Sequence, residues 1–195
     1  MKYSGKVLYE TRIEARKGAD YMLPDVAALK PESASKTTVL LLLEAGQRGY
    51  HSSGLSDELL PASPLGGLSV HWLGVGSSWL GVSAGVNYSS GENMRQIGGH
   101  LGVKWTTPSS RLRLAVGPDV LFLSLSYDDA FAADQNVDAN QSFLAPGAEG
   151  LLSYATEKGM VFGIGLSAHF MPYQADDGSH DVWTNQGVVT LGLAF

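Results

Sequence analysis

In the stretch Leu80–Tyr88 every second residue is apolar: Leu80, Val82, Ala84, Val86 and Tyr88 alternate with Gly81, Ser83, Gly85 and Asn87. The period repeats in Gln96–Trp105, where Ile97, Gly99, Leu101, Val103 and Trp105 oppose Gln96, Gly98, His100, Gly102 and Lys104. It repeats again in Met160–Phe170, where Met160, Phe162, Ile164, Leu166, Ala168 and Phe170 oppose Val161, Gly163, Gly165, Ser167 and His169. Successive side chains of a strand point to opposite faces, so each segment builds a sheet surface with one apolar face and one small or polar face. At about 10 residues or slightly more, each has the length that crosses a bilayer as a tilted strand.

Counting back from Phe195, strands are expected near 184–195, 158–172, 141–155, 110–127, 93–106, 78–88, 65–74 and 37–48. The turns "GVGSS", "TTPSS" and "TEKG" fall at one end, and the longer connections 49–64, 128–140 and 173–183 at the other. Aromatic residues stand near segment ends: Trp72, Trp79, Tyr88, Trp105, Tyr127, Tyr154, Phe170 and Phe195. The expected fold is all-β, a closed antiparallel transmembrane up-and-down barrel of about eight strands with aromatic girdles, because closure leaves no sheet edge in hydrocarbon. The apolar and polar faces average out, which explains a mean hydropathy near zero with only 16% charged residues. No run approaches the roughly 18 apolar residues of a membrane helix, and there is no cysteine for a disulfide framework.

Residues 1–36 are expected to be separate from the barrel of residues 37–195. "GKVLYETRIEARKG" also alternates, and counting it gives nine strands, a number bacterial single-chain barrels avoid. It is either an extra strand, a periplasmic or plug segment followed by a linker, or the first spanning strand with one later assignment wrong. The opening "MKYSGKVLYE" lacks the apolar core of a secretory signal, so the signal of an exported chain is expected to be missing and Met1 not to be the natural start.

The barrel pattern and the final "TLGLAF" resemble small outer-membrane proteins of Gram-negative bacteria. That resemblance implies an outer-membrane location, contact with membrane lipid and lipopolysaccharide, and a role for Val189, Leu191, Leu193 and Phe195 as the signal presented to the barrel-assembly machinery. It identifies no function.

Buried charge in a lipid-embedded barrel should be paired. The inward faces are expected to carry such a network: Glu44, His71, His100, Lys104, Arg111, Arg113, Asp119, Glu149 and His169. "GYHSSG" sets His51 beside Ser52 and Ser53 and resembles the His/Ser element of outer-membrane lipid A deacylases, though their His-x-Ser-Asn string is absent. A serine nucleophile there would need an acid to orient the histidine; Asp57, Glu58 and Glu149 are the candidates. In "ADDGSHD", Asp176, Asp177, His180 and Asp181 offer ligands for a divalent cation, the only cofactor expected. The three long loops carry Asp57, Glu58, Asp128, Asp129, Asp134, Asp138, Asp176, Asp177 and Asp181 and neither Lys nor Arg. Such a rim suits divalent cations shared with lipopolysaccharide, or a basic envelope protein. A net charge of −6, with no basic stripe beyond residue 36, argues against nucleic acid.

Gly81, Gly85, Gly98, Gly102, Gly117, Gly147, Gly163, Gly165 and Gly192 face inward in this register. They either leave room for water, lipid or a plug, or relieve strain where strands bend. The leading functional expectation is a non-enzymatic envelope anchor, scaffold or interaction module. The alternatives are a lipid-modifying enzyme of the outer leaflet, a small pore or ligand carrier, and a soluble lipocalin-like barrel.

Overall fold

The segments of alternating polarity form strands in the computed structural model, which describes Lys2–Tyr3, Lys6–Val7 and residues 37–52, 54–55, 58–74, 79–107, 111–175 and 178–195. The chain divides into Met1–Ala34 and Ser35–Phe195. In the first unit β1 (Lys2–Tyr3) pairs antiparallel with β2 (Lys6–Val7). Residues 8–36, with most of the segment expected as a ninth strand or plug, lie outside the described residues.

The second unit is a closed barrel of eight antiparallel strands: β3 (Thr38–Ser52), β4 (Ser63–Leu73), β5 (Leu80–Ser90), β6 (Met94–Thr106), β7 (Leu112–Tyr127), β8 (Asn140–Ala155), β9 (Met160–Ala175) and β10 (Gly178–Ala194). Each strand pairs with its neighbours in sequence, and β10 closes on β3. Closure continues to Phe195, whose N–H and C=O both bond Val39. No strand from the first unit is needed, which settles the barrel count at eight.

Closing a sheet requires its strands to tilt and their register to shift. Register partners lead from Leu40 through His71, Ser83, Gly102, Asp119, Gly147, His169 and Thr184 back to β3 at Tyr50. All of these residues face inward, so the shift brings side chains that are distant in sequence onto one line inside the wall.

The outer face is a band of exposed apolar side chains that includes Leu43, Leu68, Val86, Leu101, Val120, Ile164, Leu166 and Val189. Aromatics border it in two rings, Trp72, Trp105, Tyr154 and Phe162 toward the turns and Tyr88, Phe122, Phe170 and Trp183 toward the loops. Phe170 meets Trp183 edge to face at 5.6 Å. Tyr127 departs from the girdle expectation. It points inward, is buried, and its hydroxyl donates to Leu59 O or pairs with the Tyr173 hydroxyl at 3.0 Å.

The loop end also differs from expectation. The connection expected over 173–183 is a hairpin in which β9 and β10 run on past the aromatic ring to Ala175 and Gly178. The 128–140 loop holds α1 (Asp129–Gln135), ended by Asn136 in the left-handed region at φ 54°. Phe131 of α1 stacks on Tyr127 at 5.9 Å, while Leu59 and Leu60 of the first loop are buried beside it.

The wall is not paired uniformly. β8 and β9 are bonded from Gly147↔His169 down to Ala155↔Val161, but not above. There β8 continues on β7 alone and β9 on β10 alone. Pro146 and Pro172 lie on these two free edges, where a residue without an N–H is tolerated. Amides of 141–145 and 170–175 that point into this seam are expected to exchange at least about tenfold faster than amides of the same strands below Gly147 and His169. Residue-resolved hydrogen exchange checks this, and uniform protection along both strands would refute it.

Candidate functional site

The lumen is built in three layers. Nearest the turns, Leu40, Leu42, Leu73, Ala115, Leu151 and Val161 form a buried apolar cluster. Toward the loops, a second cluster contains Leu121, Leu123, Leu125, Tyr127, Phe143, Ala145, Met171, Tyr173 and Val182, with Leu59 and Leu60 from the first loop. Between them lies a polar centre.

Asp119 and Glu149 are its acids, Lys104 its amine. The Lys104 ammonium is 2.8 Å from Glu149 Oε2 and 3.4 Å from Asp119 Oδ2. His100 Nδ1 is 3.5 Å from both carboxylates, and His169 Nε2 is 2.8 Å from Asp119 Oδ1. Glu44 accepts a hydrogen bond from Ser69, whose hydroxyl is 3.3 Å from His71 Nε2. The register explains the gathering: His71, Asp119 and His169 share one partner line, while His100, Lys104 and Glu149 stand two residues from its Gly102 or Gly147.

His100, Asp119 and Glu149 bring three metal-ligating atoms within 4.8 Å of one another. The Lys104 ammonium already stands among them and supplies positive charge where an ion would sit. The His169–Asp119 pair has the form of a base held by an acid, but it lies between two apolar layers. A cavity of about 20 Å³ beside Glu44, His100, Glu149 and His169 has room for about one water, and none for a lipid chain.

The inward glycines are cradles for these side chains. A Cβ on Gly102 would stand 2.7 Å from Asp119 Oδ2 and 2.7 Å from Lys104 Nζ. One on Gly85 would overlap the His100 ring, and one on Gly98 would meet Asn87 Oδ1 and approach Arg48 Nη2 to 3.2 Å. At these three positions the space left by glycine is filled by a large polar residue, whereas at Gly81, Gly165 and Gly192 the nearest neighbours include apolar side chains.

Seven of the nine expected interior residues are thus brought together or placed near one another: Glu44, His71, His100, Lys104, Asp119, Glu149 and His169. Arg111 is different. It lies at the turn end and forms an exposed ion pair with Glu157, because the strand begins only at Leu112. Arg113 is half-buried near that end. A second polar group was not anticipated. Arg48 is wholly buried and donates to Gln96 Oε1 at 2.9 Å and Asn87 Oδ1 at 2.6 Å, while the Tyr50 hydroxyl also donates to Gln96 Oε1 at 2.6 Å. The signal was present, since Arg48 follows Glu44 by four residues on the same strand face.

The other two candidate sites lie only partly within the described residues. His51 and Ser52 are successive residues of β3 and therefore point to opposite faces. Ser53 and Asp57 lie outside the described residues. His180 and Asp181 are likewise successive in β10, His180 half-buried and Asp181 exposed. One ion cannot readily take both, and Asp176 and Asp177 lie outside the described residues.

No protein-family model matches the sequence, and no curated protein matches it. The fold does match solved structures. Neisserial surface protein A aligns with a TM-score of 0.61 at 11% identity, over 80% of this chain and 97% of that one. The N-terminal β-barrel domain of Pseudomonas aeruginosa OprF aligns at 0.51 and 13% identity, over 82% of this chain and 100% of that one. Ail, the attachment invasion locus protein of Yersinia pestis, in complex with the heparin analogue sucrose octasulfate, aligns at 0.50 and 10% identity, over 82% and 99%. The chain therefore has the eight-stranded closed-barrel fold of small outer-membrane proteins.

Proposed function

We propose that this chain is a bacterial outer-membrane barrel that works at its loop end, as an envelope anchor, scaffold or interaction module without an enzymatic role. The observation that carries this reading is the layered lumen. A pore needs a continuous aqueous path and a catalytic centre needs access for substrate, whereas here the polar centre lies between two apolar clusters. The exposed apolar band supports placement in a bilayer, since a water-exposed patch of that extent is unfavourable. The outward row Val189, Leu191, Leu193 and Phe195 on the closing strand suits recognition by the assembly machinery.

The loop end supplies the working surface. Glu58, Asp128, Asp129, Asp134, Asp138 and Asp181 are all exposed there. A sulfated polyanion, the ligand class in the Ail complex, would meet like charge on this rim. Divalent cations shared with lipopolysaccharide, or a basic envelope protein, fit it better. In planar lipid bilayers the purified chain is expected to give no steady conductance above that of the bare membrane. Discrete, reproducible channel steps would overturn the closed-lumen reading. Mass spectrometry of lipid A incubated with the chain is expected to show unchanged acyl composition, and a lost or transferred acyl chain would overturn the non-enzymatic reading.

A further inference from the structure

The seam between β8 and β9 opens beside the loop-end aromatic ring, and its two edges have an unusual composition. The opposed segments are Phe143-Leu144-Ala145-Pro146 and Phe170-Met171-Pro172-Tyr173. In Leu40–Leu43 and Leu121–Leu123 both faces are apolar, but those stretches are bonded to the strands on either side. Here too both faces are apolar: Leu144, Phe170 and Pro172 face outward, while Phe143, Ala145, Met171 and Tyr173 belong to the buried upper cluster. The polar side-chain atom among these eight residues is the Tyr173 hydroxyl, which is engaged by Tyr127.

Outward and inward apolar side chains therefore adjoin where β8 and β9 part company above Gly147 and His169. Backbone bonding does not close this gap. The Phe143–Tyr173 stack, with ring centroids 5.8 Å apart, bridges it from the inside. Side-chain contacts separate at lower cost than a bonded ladder, and Met171 behind them is flexible enough to repack.

We infer that the β8–β9 seam is a lateral binding site for the hydrocarbon chain of a membrane lipid, admitted between Pro146 and Pro172 into the apolar cap. This rests on the membrane reading above. The seam carries no charged side chain, its unbonded backbone groups lie beside the aromatic ring where a lipid headgroup stays, and it borders the apolar band on the outside. Its chemistry on both sides is that of an acyl chain, so the occupant is a chain entering sideways with its headgroup left at the aromatic ring. No bond forms or breaks.

The test uses the full chain in phosphatidylcholine vesicles containing phosphatidylcholine with a diazirine on one acyl chain. After irradiation, labelled residues are mapped by mass spectrometry. Outward residues such as Leu144, Leu166 and Val189 report the bilayer. Ala145 and Met171 report the seam, and Leu40 and Leu151, inward behind a fully bonded wall, serve as controls. The expected result is label on the outward set and on Ala145 and Met171, not on Leu40 or Leu151. Phe143→Ala is expected to raise the inward label at least threefold relative to the outward label. Label confined to the outward set in both proteins would overturn the seam and leave the membrane reading intact. Equal label on Leu40 and Ala145 would also overturn it. No label on the outward set would remove the membrane reading itself.

Discussion

Lys104→Met is expected to destabilise the barrel by about 3–5 kcal/mol, the cost of leaving buried carboxylates without their cation. The side chain is 1% exposed and its ammonium serves both Glu149 and Asp119. Met matches the stem of lysine in length, so the loss isolates charge rather than volume. A second substitution separates charge from packing. In Lys104→Met/Glu149→Gln the unpaired acid is neutralised, while Asp119 keeps His169 at 2.8 Å and His100 at 3.5 Å. The double variant is expected to recover more than half of the lost stability. Arg111→Met, which breaks the exposed Arg111–Glu157 pair, is expected to cost below about 1 kcal/mol. Equilibrium unfolding in urea from detergent micelles, read by tryptophan fluorescence, measures all three. A Lys104→Met loss no larger than that of Arg111→Met would show that the polar centre contributes little to holding the lumen together.

The contrast between Lys104 and Arg111 marks how far the sequence could be read. Both had the inward parity. Parity follows from a period of two and is local, so strand positions and facing were legible wherever the alternation was clean. Which inward residues meet depends on register around a closed wall, a global property with no local signal. Lys104 joins Glu149 because the β6–β7 register brings it level with Gly117, the partner of Glu149 on β8. Strand ends were harder. Arg111 fell just before β7, and Arg48, the last residue of the strand expected over 37–48, was not placed among the inward charges although the strand runs on to Ser52. The "ADDGSHD" stretch read as a loop. Beyond the apolar band a hairpin tolerates polar residues on both faces, so composition no longer separates strand from loop. The sealed ends of the lumen were hidden differently. Alternation lapses in Leu40–Leu43, Leu121–Leu123 and Phe143–Pro146, where inward residues are apolar too, and a lapse in pattern does not say which layer it serves. The inward glycines were read as either vacant space or strain relief. Gly85, Gly98, Gly102 and Gly147 are complements to large polar neighbours, a relation between strands that no single segment contains.

Gly147 tests that relation most severely. A Cβ there would overlap the Ala168 carbonyl oxygen and stand 2.7 Å from His169 Cα and 2.6 Å from its ring. Two of these contacts are backbone, so no rotamer change relieves them. Gly147↔His169 is also the uppermost bonded pair of β8 and β9. Gly147→Val is therefore expected to push β9 outward, extend the seam downward and draw His169 away from Asp119. Overpacking costs about 1–3 kcal/mol, and loss of a hydrogen bond to a charged group adds about 1.5–3 kcal/mol, so the expected destabilisation is at least about 3 kcal/mol. Gly66→Val is the control. Gly66 faces outward, and the nearest atom to its Cβ is Glu44 O at 3.9 Å, so an effect within about 0.5 kcal/mol is expected. Unfolding in urea gives the two costs, and hydrogen exchange locates the damage: Gly147→Val should expose amides just below residue 147 in β8 and residue 169 in β9, while β4 and β5 stay protected. Equal costs for the two variants would mean that the inward glycines are dispensable and that the polar side chains do not need the space glycine leaves. A cost at Gly147 without new exchange at the seam would place the strain elsewhere and separate the cradle from the lateral opening.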